Sequence, residues 1–310
     1  MLSRARPRNH RRRVTEAVGV VPALLAFKQQ GRMVSTFGLP ELRCILPPVT
    51  LSIVLITKDE ERNLARTFES VMPLVRDGKG EIIVVDSGST DRTLEVAQSY
   101  GAKVFVEAWK GFAEQKNSAM DKASMDWVLQ LDADEPLEPE LAAEIEIALK
   151  ASPRMSGFWI PRKNFFLGRW IKHGGFYPDP KLRLVRRGAG QFEEYGAHPT
   201  MKVDGPTGRL THALLHDAYP TLRGYIDHMN SYSSIGAELS VGKGYRGFSF
   251  ANIVIRPLLT FVYNYIFRLG FLDGREGLLL HLYHSVYVSW KYSKAWELAR
   301  RDVAGNVSVE

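Results

Sequence analysis

Two carboxylates two positions apart, Asp132 and Asp134 in Leu131-Asp-Ala-Asp-Glu135, follow directly on the apolar run Trp127-Val-Leu-Gln-Leu131. Where a buried strand opens into a loop, carboxylates at that spacing can both reach one hard divalent cation. Mg2+ or Mn2+ suits such a site, because it takes oxygen ligands and commonly completes its shell with substrate phosphates. Acidic pairs are also common in solvated loops, so the motif gains its meaning from where it stands. A second apolar run, Glu81-Ile-Ile-Val-Val-Asp86, likewise ends in a carboxylate, and the turn Ser87-Gly-Ser-Thr90 leads from it to Asp91. Asp86 and Asp91 can accept hydrogen bonds from a base or ribose while the turn offers backbone N–H groups; helix N-capping is the competing reading of Asp91. Neither G-x-G-x-x-G nor G-x-x-x-x-G-K-[ST] occurs, which argues against a dinucleotide oxidoreductase and against a P-loop kinase or ATPase.

The elements that must position these groups are legible in the hydrophobic pattern. Leu51-Ser-Ile-Val-Leu-Ile56 is a continuous, β-branched run, the mark of a strand buried on both faces. Asn63 can cap a helix over 63–71, which Pro73 and Gly78 then end. The run ending at Asp86 is a second strand, 91–100 a helix stopped by Gly101, Lys103–Val106 a third strand, 114–122 a helix and Trp127–Leu131 a fourth strand. Strands and helices alternating in this way predict a doubly wound, mostly parallel α/β sheet whose ligands lie beyond the C-terminal strand ends. Thr57, Asp86 and Asp132 all stand at such ends. After Pro153 the short extended runs 157–161 and 181–185 predict further strands carrying a loop-built face for a second substrate. From about Leu222 the chain turns helical, with Ile253, Pro257, Phe261, Tyr265 and Leu269 forming one apolar face.

At 310 residues, 45% hydrophobic and 24% charged, the chain has an ordinary globular composition, and its single cysteine, Cys44, fits a reducing compartment. The net charge of +7 is unevenly spread: residues 1–50 carry +7, 51–150 carry −9, 151–250 carry +7 and 251–310 carry +2. An acidic half that must meet an anionic ligand calls for a cation between them, whereas a basic half suits a phosphorylated or membrane-bound substrate; nucleic acid is not the expected partner. Residues 1–48, with six arginines between Arg4 and Arg13, read as a basic, disordered leader, for which Met33 is an alternative start. No run is long enough for a membrane span; the longest candidate, 257–267, lies between Arg256 and Arg268.

Taken together, Ser52-Ile-Val-Leu-Ile-Thr57-Lys-Asp-Glu-Glu61-Arg-Asn63-Leu, Val85-Asp-Ser-Gly-Ser-Thr-Asp91, Gly111-Phe-Ala-Glu-Gln-Lys-Asn117 and Leu131-Asp-Ala-Asp-Glu135 resemble the motifs of family 2 glycosyltransferases. With Tyr177-Pro-Asp-Pro-Lys-Leu-Arg183-Leu and Gly270-Phe-Leu-Asp-Gly-Arg-Glu-Gly277, the set is similar to the lipopolysaccharide-core β-1,4-glucosyltransferase branch, over residues 50–300. The chain departs from that branch at His198-Pro199, where the branch carries His-Glu. The resemblance implies a Rossmann-like nucleotide-diphospho-sugar transferase fold with C-terminal amphipathic helices: a catalytic domain at 49–220 (donor half 49–150, acceptor half 151–220) and a helical region at 221–310. It implies inverting transfer of a sugar from a nucleotide diphosphate, usually UDP, with Mg2+ or Mn2+. By the same resemblance Thr57 and Glu61 lie near the nucleobase, Asp86 and Asp132 contact the nucleotide sugar, Lys116 and Asn117 flank it, and Asp132 and Asp134 hold the metal.

Inversion needs a carboxylate that takes the proton of the attacking hydroxyl. Asp179, between two prolines, is the first candidate for that base, and Glu194 the second. Arg183, Arg186 and Arg187 are candidates for binding acceptor phosphates, whereas His212 and His216 are given no ligand role. The apolar segment 254–272, with Leu258, Phe261, Tyr265 and Leu269 outward, suits an interfacial helix pair; a buried hairpin is the alternative. The expected protein is therefore a cytoplasmic enzyme, peripheral on the inner face of the plasma membrane, that glycosylates a lipid-linked or lipopolysaccharide-type acceptor. A polyprenyl-phosphate sugar synthase, a protein glycosyltransferase and a non-catalytic nucleotide-sugar or membrane-binding scaffold are the alternatives.

Overall fold

The apolar run at 51–56 sits at the middle of the fold, and everything that positions the site is built on it. The computed structural model describes residues 50–151, 154–195 and 198–307; the expected leader and Met33 lie outside them. Strand β1 (Leu51–Thr57) pairs in parallel with β2 (Gly80–Asp86) on one side and β4 (Trp127–Leu131) on the other, and β3 (Lys103–Val106) extends the parallel set beyond β2. Past β4 the sheet changes sense: β8 (Lys181–Arg186) is antiparallel to β4 and to β5 (Gly157–Ile160), and β11 (Thr207–Arg209) closes the edge parallel to β5. The order β11-β5-β8-β4-β1-β2-β3 makes one seven-stranded, mostly parallel, Rossmann-like sheet. The extended runs at 157–161 and 181–185 are thus strands, as the sequence predicts, and both belong to the main sheet.

Both faces of the sheet are covered, as a run without polar alternation requires. Ile53 and Leu55 point to one side, against Leu64, Phe68 and Val71 of helix α1 (Leu64–Val75), Ala97 of α2 (Thr93–Ser99) and Leu141, Ile145 and Leu149 of α4 (Pro139–Ala151). Val54 points to the other, with Ala113, Ala119 and Met120 of α3 (Phe112–Asp121) and with Phe192 and Met201 of the hairpin β9 (Gly190–Tyr195) and β10 (His198–Val203). Helix α1 continues through Pro73, where the sequence suggests a stop. The proline forfeits one N–H near the helix end, and the buried Val71 and Leu74 on either side hold that last turn to the sheet.

A second, three-stranded sheet, β12 (Leu214–Tyr219), β6 (Arg162–Phe166) and β7 (Arg169–Trp170), carries the chain to the C-terminal helices. These are α5 (Leu222–Gly242), α6 (Arg256–Val262) between two π-helical turns at Ala251–Ile255 and Tyr263–Phe267, and α7 (Gly274–Val307). Phe166, Ile171, Tyr225 and Leu280 form the small core that joins them. Among the described residues no helix is long and apolar enough to cross a membrane.

Candidate active site

Parallel pairing brings the chemistry to one edge. Thr57 lies opposite Asp86, and Leu55 opposite Leu131, so the loops after β1, β2 and β4 leave the sheet together. Asp86 is fully buried. Its Oδ1 accepts from the backbone N–H groups of Gly88 (2.8 Å) and Ser89 (2.7 Å), and its Oδ2 from the hydroxyls of Thr57 (2.8 Å) and Ser89. Gly88, with a φ of 84°, lets the turn close around this carboxylate. Asp86 shapes the turn, and the residues that face outward are its neighbours. Thr57 and Ser87 line a cavity of about 520 Å3 together with Glu60, Asp134, Trp109 and Tyr232. The Ser87 hydroxyl is buried there without a hydrogen-bond partner, a polar group suited to a polar ligand.

Glu61 and Asp91 turn to the backbone. Asp91 accepts from the N–H of Glu61 (3.1 Å) and of Thr93 (3.0 Å), and Glu61 accepts from the N–H of Arg92 (3.1 Å), so the pair clamps the β1 loop to the start of α2. Capping is the observed role of Asp91. Asn117 makes a two-way bond with the backbone of Phe192 (2.9 and 2.7 Å) and pins β9 to α3. Lys116, one residue before it, reaches the site: its buried ammonium lies 2.5 Å from Asp132 and 5.4 Å from the centre of the Phe192 ring.

Asp132 begins a chain of charges along the site floor. Its Oδ1 meets Lys116 and its Oδ2 meets the buried Arg183 at 2.6 Å. Arg183 also bonds Glu135 (2.9 Å), Glu135 bonds Arg162 (2.8 Å), and Arg162 bonds Asp179 (2.8 Å), which ends on Lys181 (2.8 Å). Burial alone would raise the Asp132 carboxyl, but Arg183 and Lys116 outweigh it and hold it well below the usual carboxylate range. The same balance, with burial opposed by Arg162 and Lys181, leaves Asp179 at about 2. Asp179 adopts a φ of 31°, uncommon for a non-glycine residue, and bonds from Arg162, Lys181 and Asn164 hold it there.

Asp134 is different. Burial, reinforced by Glu135, Asp132 and Glu60, pushes its carboxyl up to about 7. The nearest base is His216 on β12, with Nε2 3.5 Å from Asp134 Oδ2 and Nδ1 2.7 Å from Asn164. Burial, aided by Arg162, pushes this imidazole down to about 4, so it is neutral at pH 7 and able to act as a ligand. Sequence reading passed over His216 because its fourfold spacing from His212 was weighed as a helical pair. The two sit on and beside a strand, and His212 pairs with Glu144 at 3.0 Å. Among the described residues no cluster of three or more His, Cys, Asp or Glu side chains is assembled as a metal site.

A larger cavity of about 600 Å3 opens on the other side of Lys116, Asp132 and Pro199, which line both cavities. Asp179, Arg162, Lys181, His216, Trp159 and Tyr219 are among its walls. Glu194 lines neither; it is exposed on the β9 hairpin beside Gly111. Arg186 and Arg187 are also elsewhere. Because β8 runs antiparallel, Arg186 lies opposite Trp127 at the start of β4, at the edge away from the site, and its guanidinium packs 4.7 Å over that ring. Arg183, expected beside them as an acceptor contact, is separated from them: it is buried in the charge chain and lines the larger cavity. Trp109 and Phe112 are exposed, in edge-to-face contact at 4.8 Å, and line the smaller cavity; no periodic or catalytic signal in the sequence marks them.

Comparison with known proteins gives the family of the chain. Residues 52–203 match the model of glycosyl transferase family 2. The lipopolysaccharide core biosynthesis glycosyltransferase LpsC of Rhizobium meliloti (strain 1021) is 30% identical over 261 residues, 82% of this chain and 94% of LpsC. An uncharacterized glycosyltransferase of Rickettsia typhi, RT0209, is 46% identical over 96 residues, 31% of this chain and 32% of the relative. Among solved structures, glucosyl-3-phosphoglycerate synthase from Mycobacterium tuberculosis with Mn2+, uridine diphosphate and phosphoglyceric acid aligns at 19% identity and a TM-score of 0.43, over 63% of this chain and 79% of that one. The mannosyltransferase PcManGT from Pyrobaculum calidifontis aligns at 16% identity and 0.43, over 84% and 75%. On its sequence match along nearly the whole of LpsC, the chain belongs to glycosyltransferase family 2.

Proposed function

We propose that this enzyme is an inverting, metal-dependent hexosyltransferase that moves a sugar from a nucleoside diphosphate, UDP in the first instance, to a lipid-linked or lipopolysaccharide-core-type acceptor at the cytoplasmic face of the plasma membrane. The observation that carries the reading is the pair of cavities meeting at Lys116, Asp132 and Pro199, which suits a donor in one and an acceptor in the other with a short path between. Asp134 and His216 fit a divalent cation: a carboxylate driven up to about 7 by burial and neighbouring anions lacks a positive charge, and a neutral imidazole faces it. They would hold Mg2+ or Mn2+, which when bound neutralises the departing diphosphate. Asp132, with both oxygens on Lys116 and Arg183, supports the site by fixing those two cations beside the donor phosphates. Thr57, Ser87 and Glu60 serve the nucleoside end.

Among the described residues only Asp132 and Asp179 line the larger cavity as carboxylates, and by the resemblance noted above Pro199 stands where a glutamate is expected. Asp179 is therefore the proton acceptor in this reading. Its Oδ1 bonds Lys181, whose side chain is 36% exposed. An anionic acceptor that draws Lys181 away frees that oxygen for the hydroxyl proton and raises its basicity.

The test is a panel of UDP and GDP sugars, with and without Mn2+, followed by thermal stabilisation and donor hydrolysis. A matching donor at about 100 times its Kd stabilises the fold by about 2.7 kcal/mol. One UDP sugar should do so in a Mn2+-dependent way and be turned over. Binding without any turnover would instead support a non-catalytic scaffold.

A further inference from the structure

The C-terminal helices carry a surface that the donor and acceptor cavities do not use. Of the 21 large apolar side chains exposed among the described residues, 14 lie between Phe248 and Leu282. They form one strip along the helical stretch 251–267 and the turn after it: Ile255, Leu258, Leu259, Tyr263, Ile266 and Phe267, from 45% to 72% exposed. The face keeps Leu258 and Leu269 of the one the sequence suggests, but not Phe261 and Tyr265. Phe261 stacks on Tyr265 at 5.1 Å, and Tyr265 leans toward His281 of α7, so both turn inward. The two π-helical turns widen the helix and rotate its residues away from a plain fourfold stripe.

The charges around the strip have one sign. Between 243 and 275 the chain has Lys243, Arg246, Arg256, Arg268 and Arg275 against a single acid, Asp273. Asp273 is buried and spends its carboxylate on the backbone of Lys172 and His173 and on the His173 ring. The five cations are exposed, and none pairs with a carboxylate among the described residues. An apolar strip rimmed by exposed cations with no carboxylate partner is complementary to a bilayer surface with anionic headgroups.

We infer that the face built by 248–272 docks in the plane of an anionic phospholipid bilayer, with Leu258, Leu259 and Phe267 in the acyl boundary and Lys243, Arg246 and Arg256 at the headgroups. This rests on the lipid-linked acceptor proposed above and gives it a route. The loop walling the larger cavity is tied to the end of this helix: the Gly174 N–H bonds the Arg268 carbonyl at 2.9 Å, and the Arg268 guanidinium packs against Gly175. A lipid-borne acceptor held at the docked face thus starts beside the cavity mouth.

The full chain is tested by co-sedimentation with vesicles of phosphatidylcholine alone and of phosphatidylcholine with phosphatidylglycerol, at low and high salt, alongside sedimentation velocity without lipid. Wild type should prefer the anionic vesicles and keep part of its binding at 1 M salt. Leu258→Ser/Leu259→Ser/Phe267→Ser should weaken binding by about tenfold or more at every salt concentration. Lys243→Gln/Arg246→Gln should lose roughly fivefold per residue on anionic vesicles only. Both variants should melt as wild type does and hydrolyse donor at the same rate. Wild type that never sediments with anionic vesicles, or apolar variants that bind as well as wild type, would overturn the inference. So would a wild-type dimer that the apolar substitutions turn into monomer, since a second copy would then cover the face. Normal vesicle binding with no donor turnover would sink the proposed activity and leave the docking surface standing.

Discussion

Replacing Asp134 with asparagine or alanine should lower sugar transfer by roughly a hundredfold or more while leaving the protein at least as stable as wild type at pH 8. The two halves have one cause. The Asp134 carboxyl is pushed up to about 7 from an ordinary value of 3.8, so its ionised form is disfavoured in the folded protein. Above pH 3.8 the native state then binds more protons than the unfolded one, and stability falls as pH rises to about 7, beyond which the penalty is constant. Asparagine removes that penalty, so its advantage in melting temperature should be greatest above pH 7 and vanish toward pH 4. Added Mn2+ should stabilise wild type and not the variant. His216→Ala should reproduce the loss of transfer and of Mn2+ stabilisation. An Asp134→Asn protein with wild-type turnover would show that the cation is held elsewhere.

The largest effect on stability is expected at Arg183. Its guanidinium is buried and spans Asp132, Glu135 and Gln130. Arg183→Met leaves the buried Glu135 and the half-buried Asp132 without their shared cation, a loss of about 3–5 kcal/mol. Lysine should not rescue it, because a point charge cannot reach three acceptors that a planar fork meets together. Arg162→Met, which leaves Glu135 still paired with Arg183, should cost less. Urea denaturation measures all three; a loss below about 1 kcal/mol for Arg183→Met would mean that the carboxylates neutralise or rehydrate without the arginine.

What could be read from the sequence follows from how local the signal is. Of the four parallel strands, β1, β2 and β4 are legible because each is buried on both faces and has no polar alternation to confuse it, whereas β3 is an exposed edge strand read from its short β-branched run and its spacing. Asp86, Asp132 and Asp134 stand out in the sequence because each follows a buried run, and the structure places them at the C-terminal ends of β2 and β4. The division of labour among them was not legible. Whether Asp132 faces a cation or an arginine depends on β8, which arrives 51 residues later and antiparallel. For the same reason Arg183, Arg186 and Arg187 looked like one basic stripe, although the strand carries Arg183 into the site and Arg186 to the opposite edge. His216 was invisible because its partner comes from β4, across two sheets. The apolar stretch at 251–267 is legible, and so is the exposure of Leu258 and Leu269, but Phe261 and Tyr265 are half-buried, since π-helical turns leave no mark in a fourfold pattern.

The central claim is that the donor sits in the smaller cavity, at the ends of β1, β2 and β4, and that the cation sits where that cavity borders the larger one, with Asp134 from the smaller and His216 from the larger as protein ligands. Anomalous diffraction from crystals soaked with Mn2+ and uridine diphosphate addresses this directly. The claim requires a manganese peak between the Asp134 carboxylate and His216 Nε2, with the diphosphate beside it and the uridine toward Thr57 and Ser87. A peak against Asp179, or a nucleotide lodged in the larger cavity, would contradict it.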